Sequence, residues 1–121
     1  MSLFHLSQRF YFEAAHTLTR EHEAEGSSRI HGHTYEAEVT IEGVPDPING
    51  MILDLAILRD EIRRIRELLD HRFLDDVEGL GPATLENLTV FIKEQMIVKV
   101  STIKIIMVER RASGDKCTLY V

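Results

Sequence analysis

Two imidazoles stand at i and i+2 in the stretch Arg29-Ile30-His31-Gly32-His33-Thr34-Tyr35. In an extended chain, side chains two apart share a face, so His31 and His33 continue the register of Tyr35, Ala37, Val39 and Ile41. The alternate register is polar, with Thr34, Glu36, Glu38, Thr40 and Glu42. The pair therefore projects from the rim of an apolar face, where a ligand can be held away from bulk water. An earlier segment offers a third imidazole: Phe4, Leu6, Phe10, Phe12 and Ala14 fall on one strand register, broken only by Gln8, and the next position in it is His16. If these two strands pair antiparallel through the loop between them, their inner faces meet and His16, His31 and His33 converge. Three neutral imidazoles with a fourth position open to water or substrate form the arrangement of a catalytic zinc site, which predicts one zinc per chain.

Two strands must hold those histidines, and the rest of the chain must hold the strands. The first strand reads from residue 4 to 15 and the second from His33 to Glu42, with a polar loop from Thr17 to Arg29 between them. Two prolines and Asn49-Gly50 mark the turn after the second strand, and Asp54 can cap a helix. In that helix Leu55, Leu58, Ile62, Ile65 and Leu69 recur at spacings of three and four, which gives one apolar stripe. It ends at Asp70-His71. A second helix, which Thr84 can cap, buries Leu85, Leu88, Ile92 and Met96. The last third returns to strand: Ile103, Ile105 and Met107 alternate with Lys104, Ile106 and Val108, and Cys117 to Val121 close the chain as an edge strand. On this register Glu109 continues the Ile103, Ile105, Met107 face. An inner-face charge needs a partner, whereas at an exposed strand end it is simply solvated.

The expected architecture is α+β, in the order ββααββ: a four-stranded antiparallel sheet with two helices on one face. Those helices leave the other sheet face and the edges to be covered, which predicts that several chains pool their sheets in a homo-oligomer.

Totals narrow the function classes. With 121 residues and 44% hydrophobic content, residues 1–121 are expected to form a single domain. A net charge of −6 and the lack of a Lys/Arg run argue against nucleic acid as a partner. A single cysteine, Cys117, fits a reducing compartment. No signal-like start and no run of about 18 apolar residues occurs, so the sequence predicts a cytoplasmic protein without a membrane partner.

Nearly the whole chain resembles the 6-pyruvoyl-tetrahydropterin synthase and 6-carboxy-tetrahydropterin synthase family, whose bacterial members act in queuosine biosynthesis. The resemblance is carried in order by Phe12-Glu13-Ala14-Ala15-His16, His31-Gly32-His33, Gly50-Met51 with Asp54, Leu69-Asp70-His71 with Phe73-Leu74, Thr84 with Glu86-Asn87, and Val108-Glu109. It implies the tunnelling fold, with sheets pooled into a barrel, as a trimer or a hexamer of two stacked trimers. It also implies zinc on His16, His31 and His33, and a pterin substrate held by Glu109 with help from the Thr84 region. The activity implied is that of a lyase on 7,8-dihydroneopterin triphosphate, giving 6-carboxy-tetrahydropterin or, in tetrahydrobiopterin biosynthesis, 6-pyruvoyl-tetrahydropterin. The proton is removed in that family by a cysteine working with a His and an Asp that resemble His71 and Asp70.

The chain departs from the family at two positions. Four residues before His31 the family has its cysteine, and here stands Ser27; directly before the threonine the family usually has proline, and here stands Ala83. A serine hydroxyl is far less acidic than a thiol. Three readings follow: a zinc lyase of this family with Ser27 at the base position, a related lyase in which a carboxylate such as Glu23 or Glu25 replaces the thiol, and a pterin-binding protein without turnover. An unrelated three-histidine hydrolase accounts for neither Asp70-His71 nor Glu109.

Overall fold

A computed structural model describes residues 1–97 and 99–121. Strand β1 (Phe4–His16) and strand β2 (His31–Gly43) pair antiparallel along their whole length, from Phe4 opposite Gly43 to His16 opposite His31. A short helix α1 (Ala24–Ser28) interrupts the loop between them. The amphipathic helix α2 (Leu55–Leu69) follows, then a two-residue strand β3 (Arg72–Phe73), a 3-10 turn (Leu74–Asp76), helix α3 (Leu85–Met96), and strands β4 (Ile103–Arg110) and β5 (Asp115–Tyr120).

The sheet has five strands in the order β3-β1-β2-β4-β5 and is mixed, because β3 runs parallel to β1. The expected four-stranded antiparallel sheet is thus corrected by one strand, and the expected pair of helices by the addition of α1. Neither β3 nor α1 is long enough to show a hydrophobic period of its own.

One face of the sheet makes the core. Phe10, Phe12, Tyr35, Ala37, Val39, Ile41, Ile106 and Val108 are buried against Leu58, Ile62, Ile65 and Leu69 of α2 and Leu88, Ile92 and Met96 of α3. Each fully buried Leu, Ile or Phe contributes about 1.5–3 kcal/mol relative to its exposed state. The apolar stripe makes α2 helical in context; Asp54 starts it by accepting from the Ala56 N–H at 2.9 Å, and the extended backbone of Asp70 ends it. Thr84 does the same for α3, accepting from the Asn87 N–H at 3.1 Å.

The opposite face is polar, crossed by an Arg9 to Glu38 ion pair at 2.6 Å and a Ser7 to Thr40 hydrogen bond at 2.7 Å. Glu109 lies on this polar face, paired in register with Glu36. A register shift explains why it leaves the face expected for it: Ile103 pairs with buried Ile41, whereas Ile105 pairs with Thr40. The bulge lets Ile103 point into the core while Ile105, Met107 and Glu109 turn away from it.

Candidate metal centre

The β1–β2 register decides the site. Because His16 sits opposite His31 and Ala14 opposite His33, all three imidazoles share the core side of the sheet, and their ligand atoms lie within 4.8 Å of one another. His16 Nε2 is 2.9 Å from His31 Nε2 and 3.0 Å from His33 Nε2. The other ring nitrogens are engaged by main chain: His16 Nδ1–H donates to the Ala83 carbonyl at 2.9 Å, and His31 Nδ1–H to the Arg29 carbonyl at 2.8 Å. Those bonds fix the tautomer with the Nε2 lone pairs aimed inward, as metal-ligating histidines require. Two inward lone pairs at 2.9 Å repel unless a cation lies between them, so the donor set fits a zinc ion.

Electrostatics agree. Burial lowers the pKa of His16, and burial followed by the charge of Arg110 lowers that of His33 to about 4. Both rings are therefore neutral near pH 7, the form that binds metal.

Asp70 and His71 are held as a unit at the end of α2. The Asp70 carboxylate accepts from the Glu13 N–H at 2.9 Å, and the His71 N–H donates to the Glu13 carbonyl at 2.6 Å. His71 takes a left-handed backbone, φ 56°, which lets the chain turn straight into β3. Its Nδ1 lies 2.9 Å from Asp70 Oδ2, with the Arg66 guanidinium 3.1 Å from the same oxygen. The Glu13 N–H is the main cause that holds the Asp70 carboxyl below its ordinary value, with smaller help from His71 and Arg66 against an opposing push from burial. His71 and His33 line one depression of about 570 Å³, together with Glu13, Gly32 and Phe73. Gly32 keeps the floor of that depression clear of a side chain.

Other expected residues lie elsewhere. Ser27 is buried, and its Oγ accepts from Arg20 Nε at 2.6 Å rather than meeting Asp70 or His71. Glu23 and Glu25 are exposed and paired with Arg20 and Arg29. Thr84 lines a cavity of about 790 Å³ that also carries Arg20, Tyr35, Glu86, Arg110 and Cys117. Glu109 does not join the histidines within one chain; it lies 3.4 Å from Arg111, which also pairs with Glu36 at 2.6 Å. Burial, then the nearby Glu86 charge, raises the Cys117 thiol.

Sequence reasoning missed Arg110 and Tyr35. Arg110 Nη1 stands 3.4 Å from His33 Nε2 and Nη2 2.9 Å from Asp115. Tyr35 could have been found, because it extends the His31, His33 register by two; Arg110 needed the β2–β4 pairing, which no local pattern reveals.

A mixed five-stranded sheet, helices packed on one face and a three-histidine cluster at the strand ends define an α+β class with a metal-type centre. The model of the family described as 6-pyruvoyl tetrahydropterin synthase matches residues 5–120. The chain belongs to that family. It is 37% identical over 98 residues to a Caenorhabditis elegans protein provisionally named 6-pyruvoyl tetrahydrobiopterin synthase, covering 70% of each. It is 32% identical over 99 residues to a Pyrococcus horikoshii protein provisionally named 6-carboxy-5,6,7,8-tetrahydropterin synthase, spanning 82% of this chain and 58% of that one. The solved structure of Caenorhabditis elegans 6-pyruvoyl tetrahydropterin synthase superposes with a TM-score of 0.87 at 25% identity, over 100% of this chain and 97% of that one. Relatives named for both pterin products bear on one chain, and the family is one of lyase-type pterin synthases.

Proposed function

We propose that this chain is a zinc-dependent lyase acting on 7,8-dihydroneopterin triphosphate, giving 6-carboxy-tetrahydropterin for queuosine biosynthesis or 6-pyruvoyl-tetrahydropterin. The convergence of His16, His31 and His33, with Nδ1 bonds that turn two Nε2 lone pairs inward, carries the reading. Zinc held by His16, His31 and His33 would supply Lewis acidity that makes a side-chain proton of the substrate easier to remove. The chain's own residues do the rest. Asp70 holds the Nδ1–H of His71, which leaves Nε2 free to take a proton at the mouth of the depression that His33 also lines. Ser27 offers only a hydroxyl, already engaged by Arg20. The pterin ring presents adjacent N–H donors and calls for a carboxylate. Glu109 fills that role across a subunit boundary, whereas Glu86 lines the same cavity as Thr84 within one chain.

The functional unit in this reading is a single domain, residues 1–121, acting in the cytoplasm as a trimer or hexamer with sheets pooled into a barrel. Among the described residues no helix is long and apolar enough to cross a membrane. The polar sheet face and the outer edge of β5 support association, since both are left uncovered by the helices.

The separation of Ser27 from Asp70 and His71 favours a second reading, pterin binding without turnover. The deciding experiment is product analysis of dihydroneopterin triphosphate incubated with zinc-loaded protein, beside Ser27→Cys. Carboxy- or pyruvoyl-pterin from either chain supports the lyase. Pterin bound and recovered unchanged from both supports the binding protein, and no pterin binding at all defeats both readings.

A further inference from the structure

His16 is the last residue of β1, and each ladder that holds the strand stops at or before it. Pairing with β2 ends at His16 opposite His31, and pairing with β3 ends one residue earlier, at Ala15 opposite Phe73. Strand ends open at little cost unless something beyond the ladder restrains them. Here the next residue is held by a side chain from beyond β3: Thr17 N–H donates to Asp75 Oδ1 at 2.9 Å, and the Thr17 hydroxyl donates to Asp75 Oδ2. Continuing the parallel register by two residues sets Thr17 opposite Asp75. The carboxylate therefore takes over where the main-chain ladder stops.

Asp75 stands on a fixed base. Leu74 before it is fully buried and opens the 3-10 turn Leu74–Asp76. Asp75 itself is exposed, where water alone would satisfy a carboxylate, yet both of its oxygens bond to one residue. Hydrogen bonds to an ionised carboxylate are roughly twice as strong as neutral ones. Two other bonds near His16 do not replace this pair. The Ala83 carbonyl takes His16 Nδ1–H at 2.9 Å and so orients the ring, not the main chain. Leu18 N–H donates to the Ser27 carbonyl at 2.7 Å, which closes the loop on itself without tying it to the sheet or the long helices. The restraint on the main chain leaving His16 comes from Asp75.

We propose that Asp75 is a positioning residue for the three-histidine centre: by clamping Thr17 it fixes the backbone of His16, and with it the direction in which His16 Nε2 offers its lone pair. The proposal rests on the reading of His16, His31 and His33 as metal ligands and adds a residue that acts on them only through Thr17. Tight metal binding needs ligands held in place before the ion arrives. His16 and His31 sit opposite each other at the strand ends, so fraying there would take a ligand away first.

The test uses cobalt(II), a divalent metal that takes nitrogen sites and whose visible absorption follows the geometry of its ligands, with affinity measured by competition against a metal-sensitive dye. Asp75→Ala should bind cobalt about 10- to 100-fold more weakly, the range for disturbed outer-shell partners, and with an altered absorption band. Thr17→Val, which removes the hydroxyl and keeps the N–H, should show a smaller loss, and Thr17→Ser should restore the original affinity. Asp75→Ala combined with Thr17→Val should be no worse than Asp75→Ala alone, because both act through one contact. Melting curves of the metal-free variants show that each is folded at the assay temperature; if Asp75→Ala is not, Thr17→Val against Thr17→Ser decides, and equal affinities overturn the proposal. An original chain that takes up no cobalt overturns the metal reading and this proposal together. An original chain that binds cobalt, matched by Asp75→Ala and Thr17→Val in affinity and spectrum, overturns the proposal alone, whatever their Tm.

Discussion

The Nε2 atoms of His16 and His31 face each other at 2.9 Å while both Nδ1 atoms are occupied by main-chain carbonyls. Neither ring can supply the proton that would make this contact a hydrogen bond without giving up its main-chain bond. The arrangement is favourable with a cation between the lone pairs and unfavourable without one. The strand ends therefore present a donor set matched to a cation.

Metal should accordingly stabilise the fold. At free zinc about 100-fold above its dissociation constant, linkage adds about 2.7 kcal/mol. Thermal melting with and without chelator should show a higher Tm for the zinc-loaded chain and one zinc per chain by elemental analysis. His31→Ala with His33→Ala should erase both differences; a double variant that still binds one zinc would remove these two residues from the site.

Thr84 connects the start of α3 to the histidines. Its side chain caps the helix, and the carbonyl just before it, on Ala83, receives His16 Nδ1–H. Thr84→Ala should cost about 1 kcal/mol of stability and loosen zinc by about 10- to 100-fold, the range for disturbed outer-shell partners. Thr84→Ser should restore both. Competition with a zinc-sensitive dye measures the affinity, and an unchanged value in Thr84→Ala would show that Ala83 holds His16 without the cap.

Asp70 gives a pH signature. Its carboxyl is held below its ordinary value chiefly by the Glu13 N–H, so the folded pKa lies below the unfolded one. The stabilisation is fully present above the unfolded value of about 3.9 and disappears as pH falls through the folded value. Asp70→Asn should lose about 1–2 kcal/mol at pH 7, and the gap to the original chain should close below about pH 4. Urea denaturation across that range measures it; a gap independent of pH would mean that Asp70 acts through shape alone.

The legible part of this molecule was the part written in long periods. The alternation read over residues 4–15 and 33–42 was enough to put His16, His31 and His33 on one face of strands that run Phe4–His16 and His31–Gly43, and the stripe of α2 was enough to bring Asp70 and His71 to its end. What escaped was set by pairing and not by pattern. Strand β3 exists because Arg72 and Phe73 find Ala14 and Ala15, and the bulge at Ile41 turns Glu109 away from the core side that a simple count assigns it. Arg110 looks like one of three charges at a strand end until the register sets it opposite Tyr35.

Ser27 yields the last prediction, because its surroundings suit a thiol better than a hydroxyl. Arg20 Nε donates to Ser27 Oγ at 2.6 Å in a buried setting. A thiol at that position would sit against a guanidinium, and a neighbouring cation favours the thiolate over the thiol. Burial opposes this, but a charge in direct contact outweighs it when the partner stays ionised at every working pH, as arginine does. Ser27→Cys should therefore titrate below the ordinary thiol value of about 8.5. The resident Cys117, raised first by burial, should titrate above its own ordinary value. Alkylation of the variant followed against pH should resolve two classes, a fast one at lower pH assigned to position 27 and a slow one shared with the original chain. Adding Arg20→Gln should move the fast class up toward the slow one. If the new thiol reacts no faster than Cys117 at neutral pH, Arg20 is only a structural tether, and a cysteine alone would not restore a proton acceptor to this site.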